Sequence, residues 1–400
     1  MTSGGPVVDR RAMWVLYGGF VLVGVATVLP GPLIPELRTA WGLDHARVAI
    51  LFPAFFVASG IGSVLSDWNL RLGLFGGYAA MIVGFVGLAF GVWPIPVVAM
   101  SALGLGVGLV APCTNFLVAY AAEPGQRSAD LATLNLIWGV GATGCPLLLA
   151  AMVGRVATST VLIGFAVLVG LALLALVATF GRGPSAVAPS VVTGTPDAAN
   201  TSSPSALASA SLWPIAGLIF FYVGVESAVS GWVVSLAEAL DGGPSTNLLA
   251  HAAFWGLLLA GRGLTPLALR RWSDRQVYVG GWGLAGLGVF ALLGVASPVA
   301  VIAAAGVTGL GLGPMFPLTV SFLAERTAGG RSGGWVFAFA GFGGAVVPWI
   351  AGRVAGSMSI QSSFWVPVAA LAVLITLFAA TRTAEPAESA AAGLAPRTPS

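Results

Sequence analysis

The chain has 400 residues, 57% of them apolar and only 8% charged, against ~25% charged in an average soluble domain. So few charges cannot cover a water-soluble surface of this size, and the mean hydropathy of +0.95 makes lipid the solvent for most of the protein. The net charge of +3 is spread thinly and forms no basic patch, which argues against a nucleic-acid partner.

Apolar runs of spanning length, ~17–25 residues, fall in chain order at 13–35, 46–66, 72–93, 95–122, 129–153 and 159–180. After a break they resume at 212–239, 246–269, 277–296, 298–324, 332–355 and 359–380. The first run follows Asp9, Arg10 and Arg11 and ends in Pro35-Glu36 without a small-residue cleavage site, so it reads as an uncleaved helix. The expected class is an all-α integral membrane protein of twelve transmembrane helices in two six-helix bundles, 1–180 and 212–380. Residues 181–211, rich in Pro, Ser, Ala and Thr, read as a flexible linker. Residues 381–400 read as a disordered tail.

Arginine placement sets the expected orientation. The termini and the loops on their side hold Arg10, Arg11, Arg71, Arg127, Arg182, Arg270, Arg271, Arg275, Arg326, Arg331, Arg382 and Arg397, while the opposite loops hold only Arg38, Arg47, Arg155 and Arg353. Both termini are therefore expected in the cytoplasm, with the chain spanning a bacterial plasma membrane.

The 56 glycines suit helices that pack closely in lipid, where small residues let backbones approach. Gly104, Gly106, Gly108 and Gly309, Gly311, Gly313 are read as packing surfaces, because neither run follows a strand or carries a phosphate-binding lysine. Cys113 and Cys145 lie inside apolar stretches, and His45 and His251 are too separated to hold a metal; no cofactor is expected.

The halves repeat each other. "FVLVGVATVLPG" (20–31) matches "FFYVGVESAVSG" (220–231) at an offset of 200, placing Gly24 over Gly224 and Gly31 over Gly231. "GLGVGLVAP" (104–112) matches "GLGLGPMFP" (309–317), "WGVGATGCP" (138–146) resembles "AGFGGAVVP" (340–348), and "GRVA" recurs at 154–157 and 352–355. With "FFYVGVE" opening the seventh span, "FWGLLLAGR" in the eighth, and "GLGVGLV" followed by Asn115 in the fourth, the chain resembles the major facilitator superfamily, and within it the fucose-permease-like branch of proton symporters. That resemblance implies halves related by an axis along the membrane normal and a central site between them. The chain departs from the branch in lacking an acidic residue in the first and fourth spans; the loop after the second span keeps Asp67 and Arg71 of the superfamily signature.

Ionisable groups inside a span cost about 2.5–3.5 kcal/mol each at the helix centre, so their few positions are informative. Glu226 lies about 21 Å along the seventh span, near the midplane, and Arg262 about 10 Å from the cytoplasmic exit of the eighth. Glu226 is read as the proton-coupling residue, because burial there favours the neutral, protonated form. The competing reading is a structural ion pair with Arg262, for which the ~10 Å difference in depth demands a long reach. Tyr222, Glu226 and Ser230 form a polar stripe at i, i+4 and i+8; His251, Trp255 and Arg262 share one face of the eighth span, and Asn135, Trp138 and Ala142 one face of the fifth.

Tyr222, Ser230, Asn115, Asn135, Trp138, Trp255 and Arg262 are thus candidate substrate-binding residues, since rings beside a few hydrogen-bonding groups suit a sugar or polyol. Ordinary packing is the alternative for both tryptophans. Asp67, Arg71 and Asp274 are candidate gating residues, Asp67 and Asp274 each able to accept from a helix N-terminus of the other half, near Ser332 and Asp130 respectively; solvated loop charge is the alternative. No paired carboxylates or nucleophile–base pair point to an enzyme. The expected function is secondary transport by a monomer, as proton-coupled uptake of a sugar-like or other small polar solute, with proton-driven efflux of a drug or metabolite as the alternative. A non-transporting receptor or scaffold is the reading from another class.

Overall fold

The computed structural model describes residues 10–66, 70–121, 127–180, 212–327 and 334–381. The linker 181–211, the tail beyond 381, Asp67 and Ser332 lie outside the described residues.

The first half comprises α1 (Arg10–Val28), α2 (Pro30–Trp41), α3 (His45–Val48), α4 (Leu51–Leu65), α5 (Leu70–Phe90), α6 (Ile95–Ala121), α7 (Arg127–Met152) and α8 (Thr158–Phe180). The second comprises α9 (Trp213–Ala239), α10 (Pro244–Ala268), α11 (Asp274–Leu292), α12 (Pro298–Leu312), α13 (Met315–Thr327), α14 (Gly334–Ser357) and α15 (Trp365–Ala380). Among the described residues nine helices are long and apolar enough to cross a membrane, and α1 with α2, bent by 48°, makes a tenth. α11 and α14 occupy the two remaining predicted spans.

Three predicted spans are interrupted near a proline, and of these only the first is sharply bent. α2 opens on Pro30, which cannot donate to the preceding turn and clashes with it, so the first span bends there. Pro53 lies in the first turn of α4, where its missing N–H is tolerated, so the chain turns between α3 and α4 just ahead of it. Gly313-Pro314 separates α12 from α13 in the same way. At α11 and α12 the helix starts follow side-chain caps. Ser273 accepts from Gln276 N–H in a capping box at α11, and Ser297 accepts from Ala300 N–H at α12, where Pro298 takes the first position.

The packing repeats as the sequence does. α1 lies on α7 as α9 lies on α14; α4 on α6 as α10 on α12; α5 on α6 as α11 on α12; and α5 on α8 as α11 on α15. Glycines make these approaches. A side chain at Gly104 would strike the Phe55 backbone of α4, and one at Gly309 the Phe254 backbone of α10. Gly141 lies against the Val21 carbonyl, and Gly343 against that of Phe220. The two small-residue triplets are therefore wedges: Gly104 and Gly108 face α4 while Gly106 faces α5, and Gly309 and Gly313 face α10 while Gly311 faces α11.

The halves meet through α4–α14 and α7–α10, again symmetry partners, and through α2–α9 and α3–α14. They close at the end opposite to Arg10, Phe180, Trp213 and Ala380. There Arg38 Nη2 lies 3.2 Å from Glu238 Oε2, and Ser245 Oγ donates to the Ala150 carbonyl at 3.0 Å. Gly352 and Gly356 of α14 accommodate Ala49 and Ala46. Arg38 and Glu238 are 200 positions apart, the offset that also relates Gly31 to Gly231, and a Cβ at Gly31 would stand 3.2 Å from Gly231 Cα. The contact at the closed end thus runs along the pseudo-twofold axis itself. Towards the termini end the halves part.

Candidate functional site

Where the halves part, a cavity of about 780 Å³ opens between α7, α10 and α13. Asn135, Thr133 and Arg262 give its wall polar groups, and Leu131, Leu259 and Phe316 are among the apolar ones. Arg262 leads from this wall to Glu226. Its Nη2 donates to the Tyr222 hydroxyl at 3.3 Å and to Glu226 Oε2 at 3.5 Å, while the Tyr222 hydroxyl donates to the same carboxylate oxygen at 2.7 Å. Tyr222 is buried, and Glu226 and Arg262 are mostly so.

The difference in depth that argued against this pair is real at the backbone. Glu226 stands 13 residues into α9 and Arg262 6 residues from the end of α10, or about 20 Å and 9 Å from the termini end at 1.5 Å per residue. Side chains, however, lean towards the N-terminus of their own helix. α9 begins at the termini end and α10 at the opposite end, so Glu226 and Arg262 lean towards each other, and Tyr222 fills the remaining turn.

Arg262 is also held by rings. Its guanidinium carbon lies 5.9 Å from the Trp138 ring and 5.9 Å from that of Phe316, within cation–π range. Phe316 in turn packs on Tyr222 with centroids 5.5 Å apart. Trp138 meets Trp255 edge to face across the halves, at 5.5 Å and 75°, and Trp255 Nε1 donates to His251 Nε2 at 3.2 Å. The result is one continuous polar and aromatic path: Glu226, Tyr222, Arg262, Trp138, Trp255, His251. It starts beside the open cavity and ends under the closed end.

Of the sequence candidates, Glu226, Tyr222, Arg262, Trp138 and Trp255 come together, and Asn135 stands on the cavity wall, its amide donating to the Leu131 carbonyl. Ser230 is instead buried one turn further out, its backbone under Gly31 at the closed seam. Asn115 does not line the cavity; its Nδ2 donates to the Ala111 carbonyl of its own helix at 2.8 Å. Asp274 sits in the first turn of α11, behind the Ser273 cap. Asp67 lies outside the described residues, as does the side chain of Arg71. Sequence reasoning missed the Arg38–Glu238 pair, although the offset of 200 aligned the two positions, and it placed His251 on one face with Trp255 and Arg262 without counting it among the binding candidates.

Such a site can hold a proton on a carboxylate whose charge is otherwise balanced by a neighbouring arginine, and can present flat rings and a few donors to a solute. Among the described residues it offers no nucleophile poised for covalent chemistry.

No protein-family model matches the chain. It is 26% identical over 367 residues, 87% of this chain and 89% of the relative, to a glucose/galactose transporter of Brucella abortus biovar 1 (strain 9-941), and equally to that of strain 2308. Among solved structures it is similar to a POT family transporter in complex with 5-aminolevulinic acid (TM-score 0.76, 12% identity, 96% of this chain and 98% of that one). It is also similar to a peptide transporter POT mutant (TM-score 0.73, 16% identity, 95% and 96%) and to a D-xylose–proton symporter (TM-score 0.71, 14% identity, 92% and 96%).

Proposed function

We propose that this chain, a secondary transporter with the major facilitator fold and not an enzyme, carries a small hydroxylated solute such as a hexose in symport with protons. The observation that carries the proposal is the Glu226–Tyr222–Arg262 cluster, set at the head of a cavity open to one end and beneath a seam closed to the other.

With Glu226 ionised, Arg262 and the Tyr222 hydroxyl both donate to it, and the pair is electrically neutral. A proton arriving on Glu226 cancels its charge and weakens the hold on Arg262. The guanidinium, already against Trp138 and Phe316, then faces the cavity and the solute there. Binding of proton and solute thus act on the same arginine. Protonation of Glu226 therefore favours the solute-binding form of Arg262, the positive coupling between proton and solute that symport requires. Asn135 and Arg262 on the cavity wall offer hydrogen bonds and Phe316 a ring, and Trp138, Trp255 and Tyr222, behind that wall in this state, would meet the solute's C–H surface and hydroxyls as the halves move. The similarity to glucose/galactose transporters supports the sugar class. Asp67, Arg71 and Asp274 belong to a latch at the termini end that forms when this cavity closes. That end is cytoplasmic by the arginine balance, and the protein works as a monomer in the plasma membrane.

The apolar cavity wall around Leu131, Leu136, Leu259 and Val320 favours a second reading, proton-driven efflux of an apolar compound. Uptake of labelled D-galactose into proteoliposomes, with and without an imposed pH gradient, separates the two. Symport predicts accumulation that follows inward proton flow. Absence of galactose uptake, together with proton-driven accumulation of an apolar dye in everted vesicles, would favour efflux.

A further inference from the structure

We propose that His251 is a substrate-binding residue of the state in which the opposite end is open, its Nδ1–H donating to a hydroxyl oxygen of the solute. The hydroxylated class of that solute rests on the reading above.

His251 is completely buried. Its Nε2 accepts the Trp255 indole N–H at 3.2 Å, and an imidazole that accepts at Nε2 carries its own hydrogen on Nδ1. Among the described residues, that Nδ1 has no hydrogen-bond partner. Other buried polar atoms here, such as the Tyr78 hydroxyl, also lack such a partner; the imidazole is set apart by standing at the seam between the halves.

That position also shows the state in which the imidazole is reached. A Cβ at Gly31, in the other half, would stand 3.1 Å from His251 Nε2 and 3.2 Å from Gly231 Cα. His251 therefore borders the pseudo-twofold axis, which a solute moving between the halves must cross. It lies beyond the Trp138–Trp255 pair as seen from the cavity, so nothing in the cavity reaches it here. Rocking of the halves that opens the opposite end separates Gly31 from His251 and Trp138 from Trp255, and uncovers the imidazole to the other solution. A neutral imidazole N–H beside an indole matches an uncharged hydroxyl acceptor flanked by C–H groups. His251 and Arg262 then serve alternate states from the two ends of one helix.

The test uses the full chain in two arms. In a background with Cys113→Ser and Cys145→Ser, His251→Cys is treated with a charged, membrane-impermeant methanethiosulfonate on intact cells. The expected result is labelling from outside, accelerated by Arg38→Gln at the closing contact and slowed at least about threefold by saturating D-galactose, since bound solute covers the site. No labelling at 251 while an Ala40→Cys control reacts overturns the inference. In the second arm, purified parent and His251→Ala are titrated with D-galactose and its monodeoxy analogues. The parent should lose about three- to tenfold in affinity for one analogue, the contribution of one neutral hydrogen bond. His251→Ala should lose the same factor for galactose and no longer distinguish that analogue. An equal loss for every sugar marks a structural role and also overturns the inference. Failure of the parent to bind any of these sugars refutes the sugar reading, and the labelling arm still decides whether position 251 faces the pathway.

Discussion

Replacing Arg38 by Gln should shift the protein towards the state open at the opposite end. Arg38 Nη2 and Glu238 Oε2 are 3.2 Å apart, with side chains 29% and 35% exposed. Pairs of that exposure contribute up to about 1 kcal/mol. The pair joins α2 to α9 across the halves, so it exists only while that end is closed, and its whole contribution falls on the balance between states. At RT of about 0.59 kcal/mol, losing it changes the ratio of the two states about fivefold. The shift should shrink in high salt, because both groups reach water. Spin labels at Ala40 and Ala239, exposed positions at that end of each half, would report the populations by pulsed dipolar spectroscopy in a background lacking both cysteines. Arg38→Gln and Glu238→Gln should each raise the long-distance population, and together no further than either alone. The swap Arg38→Glu with Glu238→Arg should restore the parent's distribution. Parental populations in both single variants, or full additivity in the double, would refute the reasoning.

Arg262→Lys keeps a charge but loses the planar fork that reaches Tyr222 and Glu226 while resting on two rings; transport should fall roughly tenfold, the loss of one charge-assisted bond, and initial uptake rates with equal protein in the membrane would check it. Gly343→Leu drives a side chain into the Phe220 backbone and should cost ~1–3 kcal/mol by overpacking, lowering the melting temperature in detergent, whereas Gly76→Leu, which meets open space, should leave it unchanged. Deleting about ten residues between Thr193 and Ser203 should leave transport intact, because the cost of closing a long connection changes slowly with its length; loss of activity with normal insertion would mean that the segment docks.

Much of this architecture was legible because lipid imposes it. Runs of spanning length, small residues at close approaches and a repeat in the same order on both halves all follow from packing helices in hydrocarbon, and Gly104 over Gly309 proved to be the same wedge twice. The breaks at Pro30, Pro53 and Pro314 were harder to read, since an apolar run continues across a bend without a change in hydropathy. Glu226 and Arg262 stood out as expensive charges, but their pairing entered only as the competing reading, because counting residues locates Cα atoms and ignores the opposed tilt of side chains on antiparallel helices. Asn115 and Asn135 both donate to the carbonyl one turn back, and only the packing of the two halves places Asn135, and not Asn115, on the cavity wall. His251 and Arg38 acquire meaning only from the other half, and sequence periodicity says little about which faces of two bundles meet.

The central claim is that Glu226 carries the coupling proton. Glu226→Gln keeps the shape of the side chain and its bond from Tyr222, and removes the exchange of charge with Arg262. Purified parent and variant, reconstituted in liposomes, would be compared in two assays with labelled D-galactose: accumulation driven by an imposed pH gradient, and exchange at equal concentrations without one. The account predicts that the variant loses uphill accumulation and retains exchange. Undiminished proton-driven accumulation in Glu226→Gln would contradict it, and so would a variant that folds only when Arg262 is also replaced, because a purely structural ion pair, once broken, strands a buried charge at a cost of ~3–5 kcal/mol.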